Sequence, residues 1–211
     1  MLAGGRSTRM GMDKALVEFR GQPLVAHALK VLRGAGLTPA IAGGQPGLEV
    51  YAPVVADLNP GLGPLGGICA ALDSASASLA IFVPVDLPFL PVSLIVFLLQ
   101  QARTTGASVT LCSVEGFVQS FPVVLRRQLL PLLKTELEAG RGGCFAAFKA
   151  VAAKVRETIS VLPVDLMVQS GQLADPRRLP ASRWFMNLNN AEDLNHAESI
   201  LSSPPASQFT A

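Results

Sequence analysis

Apolar residues in this chain come in runs separated by glycine, proline and polar positions, and the runs are of two kinds. Short runs at residues 40–42, 54–56, 79–85, 109–112, 122–125, 158–162 and 184–188 predict strands. Longer segments with apolar positions every three to four residues predict helices over 23–33, 65–75, 92–103, 127–139, 144–153 and 191–201. The first helix is well punctuated: Pro23 stands at its start, residues 24, 25, 28, 29 and 32 are apolar, and Gly34 and Gly36 mark its end. Residues 170–182 are polar, contain Gly and Pro, and read as a loop. Residues 202–211 lack periodicity and read as a flexible tail.

Strands that alternate with helices argue for the α/β class. The expectation is a single domain over residues 1–201, a three-layer sandwich whose mostly parallel sheet carries helices on both faces. One stretch imitates something else. Residues 79–99 are almost wholly apolar and long enough for a bilayer span, but Pro84, Pro88 and Pro91 interrupt them and Asp86 lies inside. A buried strand, a loop and a buried helix account for the same residues. With no N-terminal signal peptide recognisable, a cytoplasmic protein without membrane contact is expected.

Composition narrows the partners. Half of the 211 residues are hydrophobic and 15% are charged, so a sizeable core is expected. The net charge of +2, from 17 basic and 15 acidic residues, gives no electrostatic case for nucleic acid or a membrane surface. Any attraction for anions must be local. Cys69, Cys112 and Cys144 have neither disulfide-framework nor C-x-x-C spacing and read as buried free thiols. His27 and His196 lack companions at metal-ligand spacing and read as packing residues.

That local attraction is concentrated at the start of the chain. Gly4 and Gly5 allow a sharp bend with bare N–H groups, and Arg6, Arg9 and Lys14 bring three cations beside it, with Asp13 the nearby acid. Clustered N–H donors and cations suit a polyanion such as a triphosphate. A second cluster, Val83-Pro84-Val85-Asp86-Leu87-Pro88, places a carboxylate just past a buried strand, where open α/β sheets gather ligands. A cation bound to phosphates is a natural partner for such an acid. Asp86 is too far upstream to cap the helix that begins near Pro91.

A third cluster competes for interpretation. Residues 61–66 satisfy G-x-G-x-x-G, and Asp86 lies where the ribose-binding acid of a dinucleotide fold would stand. Pro64 removes one N–H that a pyrophosphate would use, and a dehydrogenase-like reading leaves the basic first loop unexplained. The fourth cluster lies near the end of the chain. Asn187 and Asn189, two apart on a predicted strand, would point their amides to one face, while Asn190 reads as the N-cap of the closing helix.

The run Leu2-Ala3-Gly4-Gly5-x-Ser-x-Arg9-Met-Gly-x-Asp13-Lys14 resembles the opening signature of molybdenum cofactor guanylyltransferases. The resemblance is close over residues 2 to about 100, returns at 184–196, and is loose between. It implies a nucleotide-diphospho-sugar-transferase-like, Rossmann-related fold and transfer of GMP from GTP to the phosphate of molybdopterin. Pyrophosphate is the product released. It further implies nucleotide contacts from Leu2, Ala3, Gly4, Gly5, Lys14, Asp57 and Asp86, with Lys14, Arg9 and Asp86 catalytic. Asp86 of the Asp-x-Pro motif would hold Mg²⁺, and Asn187 and Asn189 would face the acceptor. The N-terminal half would thus bind nucleotide and the C-terminal half acceptor, with other molybdenum-cofactor biosynthesis or delivery proteins as further partners. Gly4, where cytidylyl-transferring relatives usually carry Ala, favours GTP over CTP, with a related nucleotidyltransferase using CTP or another phosphorylated acceptor as the alternative.

Three departures accompany the resemblance. Ala42-Gly43-Gly44 stands where the family often has an Asn beside the nucleotide, which leaves a non-catalytic nucleotide-binding subunit as an alternative. Asn190-Ala191 replaces Thr-Pro. The family also places a buried central strand ahead of Leu-Ala-Gly-Gly, whereas only Met1 precedes Leu2 here. Four or five such side chains would contribute about 6–15 kcal/mol, comparable to the stability of a whole domain, so a start upstream of Met1 is expected.

Overall fold

The computed structural model describes residues 1–3, 13–44, 46–57, 61–140 and 143–202. Its strands are β1 (Glu18–Phe19), β2 (Gln22–Pro23), β3 (Ile41–Ala42), β4 (Val54–Val55), β5 (Leu79–Phe82), β6 (Val109–Val114), β7 (Phe117–Arg126) and β8 (Ile159–Pro163). Its helices are α1 (Leu24–Gly34), α2 (Pro64–Ser74), α3 (Val92–Thr105), α4 (Leu130–Glu138), α5 (Cys144–Val155), α6 (Val164–Gln169), α7 (Ala181–Trp184) and α8 (Ala191–Ser202).

Residues 1–3 join the sheet at its middle. Leu2 bridges in parallel to Ala42 on one side and to Pro84 on the other. Leu2 N donates to Val83 O at 2.8 Å and Val85 N to Leu2 O at 3.0 Å, while Ala42 N donates to Met1 O at 2.8 Å. These bonds connect the β3–β4 pair to the four-stranded β5-β7-β6-β8 sheet. The full order is β4, β3, residues 1–3, β5, β7, β6, β8, and only β7 in this sheet runs against its neighbours.

Helices cover both faces, as the alternation predicted. On one face Leu24 and Leu29 of α1, Leu94 and Leu98 of α3 and Trp184 of α7 share a core. On the other, Ile68 and Leu72 of α2, Leu133 of α4 and Phe148 and Val151 of α5 share a second. The apolar stretch at 79–99 resolves into β5, a loop and α3, and among the described residues no helix is long and apolar enough to cross a membrane.

Several elements differ from expectation. The run at 184–188 is not a strand: it begins as the last residue of α7 and continues as irregular backbone. Phe185 and Leu188, three apart, are buried and Asn187 and Asn189 exposed, which is not the period-two pattern of a strand, and among the described residues one backbone bond from Leu188 N to Asp86 O stands in place of a ladder. Two hairpins were not anticipated. Both turn on a positive-φ pair, Arg20-Gly21 and Glu115-Gly116, the conformation that two-residue hairpin turns require. Helix α6 and the extension of β7 back to Phe117 also emerge only in the structure. Ser202, read as the first tail residue, is the last residue of α8, and residues 203–211 lie outside those described.

Candidate active site

The carboxyl ends of the parallel strands converge on one edge of the sheet, and three side chains from distant parts of the chain meet there. Lys14 Nζ donates to Asp86 Oδ2 at 2.6 Å and to Asn189 Oδ1 at 2.7 Å. The Lys14 and Asp86 side chains are 16% and 18% exposed, so the pair is shielded yet reachable from solvent.

Each member is fixed by its local sequence. Asp13 caps the 3-10 turn Lys14–Leu16, its side chain accepting from Ala15 N at 2.9 Å, and buried Ala15 seats that turn in the core. Lys14 is left on the solvent side. Asp86 follows Val85, whose N–H is bound by Leu2 O, so the central strand sets where the carboxylate emerges. Its backbone carbonyl accepts from Leu188 N at 3.0 Å, which ties it to the segment that carries Asn189. Asn189 is held by Asp193, whose Oδ2 accepts from Asn189 N at 2.7 Å. Asn190 caps α8 as predicted: its Oδ1 accepts from Asp193 N at 2.9 Å. The Asn-x-x-Asp spacing at 190–193 is a capping pattern legible in sequence, but its grip on Asn189 was missed.

Among the described residues, Asp86 Oδ1 is buried with no hydrogen-bond partner. A buried carboxylate oxygen without a donor is costly unless something positive meets it. Its chemistry fits a hard divalent cation. No group of three or more His, Cys, Asp or Glu that could hold a metal occurs among the described residues.

The remaining predicted site residues are distributed unequally. Leu2 and Ala3 lie in the central strand, with Ala3 N donating to Ala42 O at 3.1 Å. Asp57 follows β4 on the same edge of the sheet, and its charge is felt by Cys69 of α2. Asn187 is exposed, with buried Leu188 between it and Asn189, so the expectation of a shared strand face is replaced by an irregular segment that still exposes both amides. Gly4, Gly5 and Arg9 lie outside the described residues. The glycine loop at 61–66 leads into α2, with Gly63 at the N-cap and Pro64 opening the helix. Asp86 is engaged by Lys14, not held apart as a ribose acid.

The thiols are not candidates for chemistry. Burial pushes Cys69 up to about 11, with the nearby Asp57 and Asp73 adding to the rise and Lys134 opposing it. Burial likewise raises Cys112 to about 12 and Cys144 to about 11. All three are protonated at neutral pH and weak nucleophiles.

Residues 1–155 match the MobA-like NTP transferase domain family. A molybdenum cofactor guanylyltransferase from Xanthomonas euvesicatoria pv. vesicatoria is 43% identical over 96 residues, which span 45% of this chain and about half (49%) of that relative. A molybdenum cofactor guanylyltransferase from Serratia proteamaculans is 35% identical over 165 residues, 73% of this chain and 80% of the relative. Among solved structures, molybdopterin-guanine dinucleotide biosynthesis protein A from Archaeoglobus fulgidus superposes with a TM-score of 0.74 at 19% identity, covering 95% of this chain and 96% of that one. The 2-C-methyl-D-erythritol 4-phosphate cytidylyltransferase of Thermus thermophilus superposes at 0.64 with 16% identity, covering 90% and 94%. At such identities the two structures bear on the fold alone.

Proposed function

The chain belongs to the MobA-like NTP transferase domain family, and from that premise we propose that it transfers GMP from GTP to the phosphate of molybdopterin, releasing pyrophosphate. The observation that carries this reading is the meeting of Lys14, Asp86 and Asn189 at one point, from the first loop, the end of the β5 segment and the approach to α8. The nucleotide side supplies the lysine and the aspartate; the acceptor side supplies the asparagine.

The residues imply a division of labour. In the substrate complex the Lys14 ammonium would shift from its carboxylate and amide partners toward the phosphates, where its charge offsets what accumulates as pyrophosphate departs. Asp86 would hold Mg²⁺, whose charge would offset that of the triphosphate. Leu2, Ala3, Gly4 and Gly5 line the nucleotide with backbone, Arg9 adds a second cation, and Asp57 contacts the nucleoside. Asn187 and Asn189 present donors and acceptors to the edge of the pterin. An acceptor phosphate oxygen forms the new bond to the α-phosphorus of GTP as the α–β bridge breaks. Since the acceptor is already an anion, no side-chain nucleophile is required, and positioning with charge neutralisation supplies the rate. The N-terminal half thus serves the nucleotide and the C-terminal half the acceptor, in the cytoplasm and in company with other molybdenum-cofactor proteins.

The test is pyrophosphate release from GTP with molybdopterin and Mg²⁺, with CTP as the competitor. Asp86→Ala and Lys14→Ala each lower the rate by at least ~10², the typical effect of losing one preorganised electrostatic contact, with the melting temperature held. Near-normal turnover by Asp86→Ala would remove that residue from the chemistry, and a preference for CTP would replace the base assignment.

A further inference from the structure

Residues 170–182 carry no chemistry in the reading above, yet the structure locks them onto the loop that presents Asp86. Asp175 is 7% exposed. Its carboxylate accepts from Arg177 Nε at 2.9 and 3.3 Å and from Leu179 N at 3.2 Å. Arg177, oriented by that carboxylate, donates through Nη2 to Phe89 O at 2.5 Å, with Nη1 at the long distance of 3.5 Å from Pro88 O, and its guanidinium carbon lies 5.8 Å from the Phe89 ring centroid. Ser93 Oγ, at the start of α3, donates to Ala174 O at 2.7 Å.

The far end of the same segment is equally tied down. Leu179 O accepts from the indole N–H of fully buried Trp184 at 3.0 Å. Four residues on, Leu188 N donates to the carbonyl of Asp86 itself, and Asn189 then meets Lys14. The stretch from Ala174 to Asn189 therefore grips the loop from Asp86 to Ser93 on both sides of Pro88 and Phe89. Those two carbonyls belong to a loop without a strand ladder, and a guanidinium is the side chain whose planar donors can serve two carbonyls and a carboxylate together.

We propose that Arg177, oriented by Asp175, is a positioning residue for Asp86: it fixes the carboxylate against Lys14 and so sets the affinity of the site for its divalent cation. The proposal rests on the reading of Asp86 as the cation ligand. Arg177 would act without contact to substrate or cation: its effect travels three residues, from the anchored carbonyl of Phe89 back to Asp86.

The experiment uses the full chain and the variants Arg177→Ala, Arg177→Lys and Asp175→Asn, with two readouts. Hydrogen exchange of the unliganded protein reports the loop directly, and the Mg²⁺ concentration giving half-maximal pyrophosphate release from GTP reports the site. For Arg177→Ala, exchange over residues 86–90 accelerates at least about tenfold while β6 keeps its protection. The Mg²⁺ half-saturation rises about tenfold, the lower end for loss of an outer-shell partner. At saturating Mg²⁺ the turnover recovers most of its parent value. Arg177→Lys falls between, since an ammonium reaches one carbonyl but not the whole set, and Asp175→Asn tests the pair with side-chain shape retained.

A melting temperature that drops while local exchange and Mg²⁺ half-saturation both stay within about twofold of the parent would overturn the proposal and leave Arg177 a purely structural residue. Should the parent release no pyrophosphate from GTP, the guanylyl-transfer reading falls by itself. Exchange over residues 86–90 then still decides whether Arg177 holds that loop.

Discussion

The two halves of the sheet are built differently. β5, β7, β6 and β8 form a continuous four-stranded ladder, with β6 spanning six residues and β7 ten. On the other side, β3 and β4 pair over two residues each, and the central position is held by residues 1–3 through one backbone bond each to Val83 and Val85 and two to Ala42. The proposed nucleotide contacts belong to the second region, its loops and the seam between the halves. Long ladders beside a packed core resist opening, whereas short strands whose loops must admit a ligand belong to the low-stability end of a fold. The site therefore gains its order from particular side chains, such as the Asp13 cap and the Lys14–Asp86 pair, more than from pairing.

The largest effect that would break this contrast lies in the four-stranded half. Phe148 on α5 is fully buried and meets Phe121 of β7 edge-on, ring centroids 6.5 Å apart. Phe148→Ala lowers global stability by about 3–5 kcal/mol in a urea titration, while the variant that remains folded keeps the proposed Mg²⁺ dependence. In native-state exchange the β6 and β7 amides are the slowest and those of Ile41 and Ala42 exchange through smaller openings. If β3 proves as protected as β6, the two halves open as one unit and the contrast is void.

The same contrast explains what could be read from sequence. Helix α3 was legible because Pro91 and an apolar run mark it locally, and the structure ends it two residues past the expected 103, capped by Gly106 at φ 71°. Lys14 and Asp86 were legible because a glycine-rich basic loop and an acid after a buried strand are chemically unusual wherever they fall. Residues 184–188 misled because a short, largely apolar run imitates a strand, while the missing ladder is a tertiary fact. Arg177 was invisible: an arginine in a polar loop has no spacing that points at Pro88 and Phe89, and only the folded chain brings them within reach. Glu115-Gly116 left a weak signal, since glycine in the second turn position suits the observed hairpin, but no long apolar run flanked it.

The smallest predicted effect separates capping from acceptor binding at the start of α8. Asn190→Ala removes the acceptor for Asp193 N and costs about 1 kcal/mol, or a melting-temperature drop of about 2–4 °C for a chain of this size. Capping alone would end there. Because the Asp193 carboxylate also holds Asn189 N at 2.7 Å, loosening the first turn of α8 loosens the amide that meets Lys14. The expected kinetic signature is a rise in KM for molybdopterin with KM for GTP unchanged, since the nucleotide side keeps its own supports. A substitution at Asp193 should repeat that asymmetry, whereas equal rises for both substrates would mean that the seam moves as a whole and that nucleotide and acceptor sides are not independently built.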